Sequence, residues 1–586
     1  MNSPFPTHCT TALAQSPLFR LQTEGLPLSE RVRLSYQRAR AVVQTYNLTA
    51  DDILNVTPRY WEFHTDPILS QDISVGTLLT IHYNLCSGTL ALFASGRPDL
   101  ERTLQQLLSY EVSGQYLLTE IGHGLNAINL ETTCTMLPSG EFELNTPSAG
   151  AAKFMPPTTP CGVPCVAVVM ARLVVGGEDR GVKPFVVPLH DGERMHTGIV
   201  SKLLTPRGGS RPVNHALTYF HHVRLPPTAL LASPEKASRP RDEFFFNISR
   251  VISGTLSMGA LGLSAMRIGS YVAGQYSLRR TVVDAGSGLT RPIASFSTQY
   301  TPVLTAIAQT MVFQAFAQEA RARFADKSAS LPMKHFVAAV FKTTVIKHTK
   351  ETLLGLGDRC GAQGLFEINQ LSVLHADMRG AAIAEGDLLA ISIRFAMDLL
   401  LGRIKAPATP YPDSVLYKHE QSLIAHLTQV LSQARNHRDA RTEAILLPQC
   451  PTLIEAIGHR LAYDAAMQAG MDKDVIELYV ASVMPYDAGW YSENLGIPCW
   501  EQKMQLLGAA KALYPQLEAL LELLKVKSYA TAPIVSDQAW EAYVESLDTF
   551  GNPQPCSPTV SFPDQQQPQK QRQPPPPRDH FVRAHL

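Results

Sequence analysis

The sequence lacks an excess of charge of either sign. Among 586 residues, 51 are lysine or arginine and 51 are aspartate or glutamate. A protein whose main partner is a nucleic acid or an anionic membrane usually carries a basic surplus, so neither partner is expected here. The hydrophobic share of 45% and the charged share of 17% are typical of a soluble globular protein. The length predicts roughly two to four domains.

The sequence also has little that indicates a metal site. Its nine cysteines are scattered, and only Cys161 and Cys165, in CGVPC, lie close together. No second Cys or His pair stands at the spacing of a zinc site. We therefore expect no metal, and free thiols in a reducing compartment.

Several catalytic and nucleotide-binding motifs are missing. The chain has no Walker lysine loop, no Gly-x-Ser-x-Gly elbow and no His-Glu-x-x-His pair. The stretch AGSGLT at 285–290 lacks the third glycine of a dinucleotide fingerprint. A nucleotide cofactor would have to be held without a Rossmann or P-loop motif.

No secretory signal or membrane span is predicted. The N-terminus, MNSPFPTHCTTALAQSP, has no basic segment followed by an apolar core. The best membrane candidate, Gly254–Gly274, contains Arg267 and many small residues. Small residues favour a helix that packs closely against a neighbour, so we expect a soluble protein.

The last three residues, Ala584-His585-Leu586, have the small, basic, leucine character of a C-terminal peroxisomal address. The Pro- and Gln-rich tail before them predicts an extended, accessible segment. This pattern predicts recognition by the peroxisomal import receptor and a place in the peroxisome matrix. The alternative is a disordered end that finishes in AHL by chance.

The change of hydrophobic periodicity and composition along the sequence predicts an α+β multidomain fold. Residues 1–118 read as a helical N-terminal domain and residues 119–235 as a central β-barrel or sandwich, rich in alternating and β-branched runs. Residues 236–404 read as a helical bundle, and residues 405–550 as a further helical domain. Residues 551–586 form the tail. Segregation of this kind excludes an alternating βαβ sheet.

One basic loop and one histidine pair have no assigned role. Arg207 and Arg211, in TPRGGSRP, could meet a phosphate, but a solvated loop explains them as well. His221 and His222 fit surface polarity at the end of a strand better than a ligand pair.

Glu385 is an acidic residue inside an apolar run, AAIAEGDLLAISI, and Gly386 follows it. A carboxylate there could complement a helix dipole, as Asp387 also could. It could instead be a base whose pKa is raised by an apolar pocket. The pattern by itself leaves both readings open.

Three motifs in order resemble the acyl-CoA oxidase branch of the acyl-CoA dehydrogenase superfamily. They are TEIGHG at 119–124, CGAQG at 360–364 and EGD at 385–387. The resemblance covers roughly Leu21 to Phe550, and the additional C-terminal helical region is similar to the oxidases rather than to the shorter dehydrogenases.

The resemblance implies a flavoenzyme. Members bind FAD between the β domain and the following helical domain, and a second subunit of a homodimer completes the site. The implied reaction is α,β-desaturation of an acyl-CoA, with O2 reduced to H2O2 and Glu385 as the catalytic base. Position matching implies that FAD is contacted by Thr119, Gly122, Arg279 or Arg280, Gln299 and Gly361.

The sequence departs from the family pattern at several positions. Pro157 stands where a glycine N–H often faces the flavin, and proline has no N–H. Leu388 replaces the asparagine of EGDN, while Leu125 and Ala362 alter two further motifs. Two alternatives therefore stay open: a dehydrogenase-like enzyme of specialised metabolism, and a catalytically idle scaffold.

Overall fold

The computed structural model describes residues 3–209, 212–433 and 439–551. It divides into two units between Glu541 and Ala542. The predicted tail and its terminal Ala584-His585-Leu586 lie outside the described residues.

The N-terminal region is helical, as predicted. Its elements are α1 (Thr11–Ala14), α2 (Pro17–Arg20), α3 (Leu28–Tyr46), α4 (Ala50–Leu54), α5 (Pro58–His64), α6 (Ile68–Gln71), α7 (Ile73–Leu79), a π-helix (Thr80–Ser87), α8 (Gly88–Phe93) and α9 (Pro98–Leu108). Helix α4 begins with a capping box, in which Thr49 and Asp52 satisfy each other's free backbone N–H groups. The π-helix continues the buried segment that begins in α7, and it widens the helix where Asn84 lies.

The β region begins earlier than predicted. Its strands are β1 (Ser113–Leu117), β2 (Thr133–Met136), β3 (Phe142–Asn145), β4 (Lys153–Pro157), β5 (Cys165–Val175), β6 (Glu178–His190), β7 (Ile199–Leu203), β8 (His215–Phe220) and β9 (Val223–Leu225). The helical prediction up to residue 118 was wrong for β1. All five of its residues are buried, so its sequence shows no alternation that would distinguish a short strand from a buried helix end.

The strands form two sheets that share a core. One sheet has the order β1-β5-β2-β3-β9, with β6 paired along the opposite edge of β5, and the second has the order β4-β8-β7. Strand β5 is buried on both faces because Val169 faces the core between the sheets while Val168 faces α8 and α9. This explains the nearly continuous apolar run CVAVVMARLVV, which is typical of a doubly covered strand.

The helical bundle follows the β region. Its elements are α10 (Pro240–Asn247), α11 (Arg250–Arg279), a hairpin of β10 (Thr281–Val283) and β11 (Thr290–Pro292), α12 (Ser297–Ala325), α13 (Leu331–Arg359), α14 (Leu371–Ile383) and α15 (Leu388–Leu400). The further helices are α16 (Val415–Ser432), α17 (Ala440–Leu446), α18 (Cys450–Gln468), α19 (Lys473–Val483), α20 (Ala488–Leu495), α21 (Cys499–Leu513), α22 (Leu517–Leu523) and α23 (Asp537–Glu545).

Helix α11 is a core helix. It is long and apolar enough to cross a membrane, but 94% of its most apolar window is buried inside the protein. Glycines let it approach α13 closely: a Cβ at Gly259 would lie 2.5 Å from the Phe341 ring, and one at Gly262 would lie 2.6 Å from Ile346. The small residues of this segment therefore serve helix packing, as the sequence predicts.

Candidate active site

Glu385 lies in the tight turn between α14 and α15. Its φ is 55°, and that of Gly386 is 103°, a left-handed conformation that non-glycine residues rarely adopt. Lys342 on α13 holds this turn by donating from Nζ to the carbonyl oxygens of Ala384 and Gly386. Thr255 Oγ1 on α11 donates to the Glu385 carbonyl oxygen at 2.8 Å. The two helices thus fix the strained turn.

Asp387, not Glu385, caps α15. Its Oδ1 accepts from the backbone N–H groups of Leu389 at 3.0 Å and Ala390 at 3.2 Å. The helix-dipole explanation therefore belongs to Asp387, and Glu385 needs a different one.

The Glu385 carboxylate turns inward. Its Oε2 accepts from Asn84 Nδ2 at 3.3 Å, and it lies against Gly254, where a Cβ would be 1.1 Å away. Removal from solvent raises the pKa of Glu385 to about 8, although the cations Lys342 and Arg250 oppose that rise. Burial in turn lowers the pKa of Lys342 to about 7. The carboxyl group can therefore exchange a proton near neutral pH.

Asn84 is the centre of the polar network beside this carboxylate. Its Oδ1 accepts from Tyr60 Oη at 2.9 Å, Arg250 Nη2 at 3.0 Å and Ser253 Oγ at 2.8 Å. Arg250 Nε also donates to the Asn84 carbonyl oxygen at 3.0 Å. The π-helix, α5 and α11 thus hold one amide whose Nδ2 faces Glu385.

Thr119 and Gly122 lie together in the turn that follows β1. Glu120 between them anchors the turn, because its buried carboxylate pairs with Lys153 Nζ at 3.0 Å and accepts two backbone N–H groups. The Thr119 carbonyl oxygen accepts from Phe154 N at 2.9 Å. Its hydroxyl makes no hydrogen bond within the described residues and is free to contact a ligand.

Gln299 joins three helices at one end of the bundle. Its Nε2 donates to Ser277 Oγ near the end of α11 and to the carbonyl oxygen of Arg359 at the end of α13, both at 2.9 Å. Gly361, with a φ of 57°, lies two residues after the end of α13, and no side chain of a described, non-adjacent residue lies within 4 Å of the place a Cβ would take there. The structure therefore brings Gln299 and Gly361 together, but the Gln299 amide N–H groups are already used within the chain.

The two arginines at the end of α11 differ. Arg279 Nε pairs with Asp537 Oδ1 at 2.5 Å. Arg280 is exposed and forms no ion pair within the described residues. Of the two predicted pyrophosphate contacts, Arg280 is the one whose charge is available.

Pro157 occupies a buried place at the end of β4, opposite His215 of β8. It offers no N–H to a ligand.

The predicted flavin residues fit FAD in part. The Thr119 hydroxyl, the Arg280 guanidinium and the space beside Gly361 are open to it, whereas Pro157 cannot donate the backbone hydrogen bond that a glycine would offer there. No hydrogen bond or ion pair joins the turn of Thr119, the turn of Glu385 and the Gln299 end of the bundle in the described chain.

Sequence reasoning missed the groups that surround Glu385. Asn84 lies in the buried run SVGTLLTIHYNLCSGTLALF, two residues after His82, and Lys342 is the only charged residue in VAAVFKTTV. Arg250 begins the glycine-rich helix. A charged residue within an apolar segment is the signal that could have found Lys342, as it found Glu385, whereas nothing in its segment distinguishes Asn84.

Residues 3–209, 212–433 and 439–551 hold no cluster of three or more potential metal ligands. Cys161 and Cys165 are buried free thiols.

The fold is that of the acyl-CoA oxidases. Acyl-CoA oxidase 1 of Yarrowia lipolytica aligns with a TM-score of 0.78 and 19% identity, over 93% of this chain and 90% of that chain. Acyl-CoA oxidase-1 of Caenorhabditis elegans, solved with FAD and ATP, gives a TM-score of 0.76 and 17% identity, over 92% and 89% of the two chains. No protein-family model matches the chain.

Sequence relatives carry the same name. Peroxisomal acyl-coenzyme A oxidase 3 of Homo sapiens is 24% identical over 436 residues, 67% of this chain and 60% of the relative. Acyl-coenzyme A oxidase 2, peroxisomal, of Arabidopsis thaliana is 23% identical over 388 residues, 61% and 54% of the two chains. The chain is therefore similar to acyl-CoA oxidases in sequence and in fold, and the matched part spans about half the length of its curated relatives.

Proposed function

We propose that the protein is an FAD-dependent acyl-CoA oxidase. The observation that carries this proposal is the inward-facing Glu385 carboxylate, held on a left-handed turn with its pKa raised to about 8. A base that removes an α-proton from a thioester needs a pKa near the working pH. Its reaction is the conversion of an acyl-CoA to the trans-2-enoyl-CoA, with O2 reduced to H2O2.

Glu385 takes the proton from the α-carbon, and Asn84 orients its carboxylate. Lys342 and Arg250 favour the ionised form of that carboxylate, since each lowers its pKa against the effect of burial. When bound, FAD would supply the acceptor for the β-hydride and the route of the electrons to O2. In this proposal FAD is held by Thr119, Gly122, Arg280 and Gly361. Arg279 and Gln299 also contact it if they release their present partners, which are Asp537 for Arg279 and Ser277 with the Arg359 carbonyl oxygen for Gln299.

The proposed partners follow from the same resemblance. We infer a homodimer whose second subunit completes the cofactor site. Relatives named peroxisomal support a peroxisomal location. The matrix location and the import receptor remain proposals that depend on Ala584-His585-Leu586.

An idle scaffold is the second candidate, and Pro157 in place of a flavin-facing glycine is the observation that favours it. Purified protein distinguishes the two. An oxidase is yellow, is bleached by an acyl-CoA without oxygen, and releases H2O2 in air. A colourless protein that FAD cannot reconstitute would support the scaffold. A flavoprotein bleached by acyl-CoA but slow with O2 would support the dehydrogenase-like alternative.

The Glu385→Gln substitution tests the catalytic role. We expect H2O2 release over a panel of acyl-CoA chain lengths to fall by about 10²- to 10⁴-fold, because the amide cannot accept the α-proton. Flavin absorbance should stay unchanged. Glu518→Gln, which alters an exposed carboxylate on α22, is the matched control and should keep full turnover. Equal turnover in both variants would remove Glu385 from the mechanism.

A further inference from the structure

A cavity of about 390 Å³ lies between helix α3 and the β region. It is bordered by the start of α3, the segment after β4 and the segment that joins β7 to β8. Its described lining includes none of the proposed catalytic or flavin-contacting residues. Its volume is in the range of about 300–1,000 Å³ that is usual for small-molecule sites.

Most of the lining is apolar. The larger apolar side chains are those of Leu28, Val32, Pro160, Leu203, Leu204 and Val213. Such a surface favours a hydrocarbon chain, because each apolar group that a chain covers is removed from water. A nucleotide would leave this surface without a complementary partner.

Arg207 brings a positive charge to the cavity and has no ion-pair partner among the described residues. Its Nη2 donates to His215 Nε2 at 2.9 Å, while His215 Nδ1 donates to the Met155 carbonyl oxygen at 2.7 Å. Because Nε2 accepts, this imidazole is neutral and cannot balance or add to the charge. No carboxylate forms an ion pair with Arg207 in the described part of the chain, and Asp377 acts on it only at longer range.

Arg33 supplies a second positive charge. It projects from the second turn of α3, is exposed, and has no ion-pair partner among the described residues. Leu28 and Ser29, the first residues of α3, also border the cavity, and no side chain caps their backbone N–H groups. Free N–H groups at a helix start attract anions, so both arginines and the helix end favour negative charge at the same cavity.

We propose that this cavity binds a single-chain amphiphile with an anionic head, a free fatty carboxylate. The chain lies along the apolar lining, and the head lies between Arg33 and Arg207. This site is separate from the thioester site and goes beyond the oxidase activity. It gives Arg207 of the basic loop a role, whereas Arg211 of the same loop lies outside the described residues.

The test is displacement of the fluorescent fatty acid 11-(dansylamino)undecanoate by decanoate, in full-length protein with excess FAD. The thioester site is first saturated with decyl-CoA, a thioether that cannot react. We expect one probe per chain, and about tenfold weaker decanoate binding in Arg33→Gln and in Arg207→Gln, since each loses a charged hydrogen bond. Lys202→Gln removes a nearby charge outside the lining and should bind as the wild type does.

Other ligands separate the head group from the chain. Methyl decanoate should compete at least about tenfold more weakly than decanoate, because it lacks the charge. Decanoate should compete better than decyl phosphate, and the opposite order would overturn the carboxylate assignment. Displacement by inorganic phosphate alone, or probe binding that decyl-CoA abolishes, would overturn the proposal. So would unchanged binding in the double variant Arg33→Gln/Arg207→Gln, with its thermal unfolding checked to confirm folding.

Discussion

At the residue scale, the site depends on a carboxylate that is costly to ionise. Glu385 lies on a strained turn against Gly254 and Asn84. Burial opposes its charge, and Lys342 and Arg250 reduce that cost without removing it. Strain and burial of this kind persist where the surrounding structure enforces them, which is typical of functional sites.

The raised pKa predicts how stability depends on pH. The pKa of Glu385 rises from an ordinary 4.5 to about 8 on folding. Between those values the folded chain keeps a proton that the unfolded chain releases, so its stability falls as pH rises through this window. Glu385→Gln has no such proton. We expect the variant to gain on the order of 1–3 kcal/mol over wild type between pH 5 and 8.5, measured by urea unfolding. A difference that is constant with pH would contradict the buried carboxylate.

Gly254 leaves the space that the Glu385 carboxylate fills. A methyl group there would overlap Oε2, so Gly254→Ala should displace the carboxylate, cost about 1–3 kcal/mol and abolish most turnover. Gly355→Ala, in helix α13 with nothing near its Cα, is the control. It should be stabilising by about 0.5–1 kcal/mol and fully active. Urea unfolding and H2O2 release check both. Normal activity in Gly254→Ala would show that the carboxylate can act from another position.

At the element scale, buried polar groups fix the relative position of packed helices, which the apolar pattern alone would not specify. The clearest case beyond the site is Arg460 on α18, which is fully buried. Its Nη2 and Nε pair with Glu420 on α16, and its Nη1 pairs with Asp464 at 3.1 Å. The planar guanidinium fixes how α16 and α18 face each other.

Removal of this guanidinium should destabilise the C-terminal helices. Arg460→Met leaves Glu420 buried without its partner, and we expect a loss of about 3–5 kcal/mol in urea unfolding. The double variant Arg460→Met/Glu420→Leu removes the Arg460–Glu420 pair and should recover part of that loss, because Asp464 keeps the hydrogen bond from Thr409 Oγ1 at 3.0 Å. If the double variant were as unstable as the single one, Arg460 would stabilise the fold through its shape and not through its charge.

At the scale of the whole molecule, the proposed import signal Ala584-His585-Leu586 should affect the location of the protein and not its enzymatic activity. Removal of Ala584-His585-Leu586 should leave H2O2 release within error of wild type. A fluorescent fusion at the other end should move from peroxisomes to the cytosol, because an import receptor needs the free C-terminal residues. Unaltered targeting would show that these residues are incidental.

Much of the fold could be predicted from the sequence because each element type has its own period. Alternation in FELN predicts a strand, and three-to-four spacing in ERVRLSYQRARAVVQTY predicts a helix; both are confirmed. Where burial is uniform the period disappears, and β1 was missed for that reason. The site was predicted less completely: Glu385 was visible as a lone acid, but the free state of Arg280 and the engaged state of Arg279 depend on distant residues such as Asp537.

The sequence by itself determined the order of helical and β regions, the motifs that resemble those of acyl-CoA oxidases, and the place of one carboxylate in an apolar run. These are local properties, set by side-chain periodicity and residue type. Only the tertiary structure decided that Glu385 turns inward, and that Asn84, 301 positions away, meets it. Contacts of that separation arise from the packing of whole helices, which no local pattern encodes.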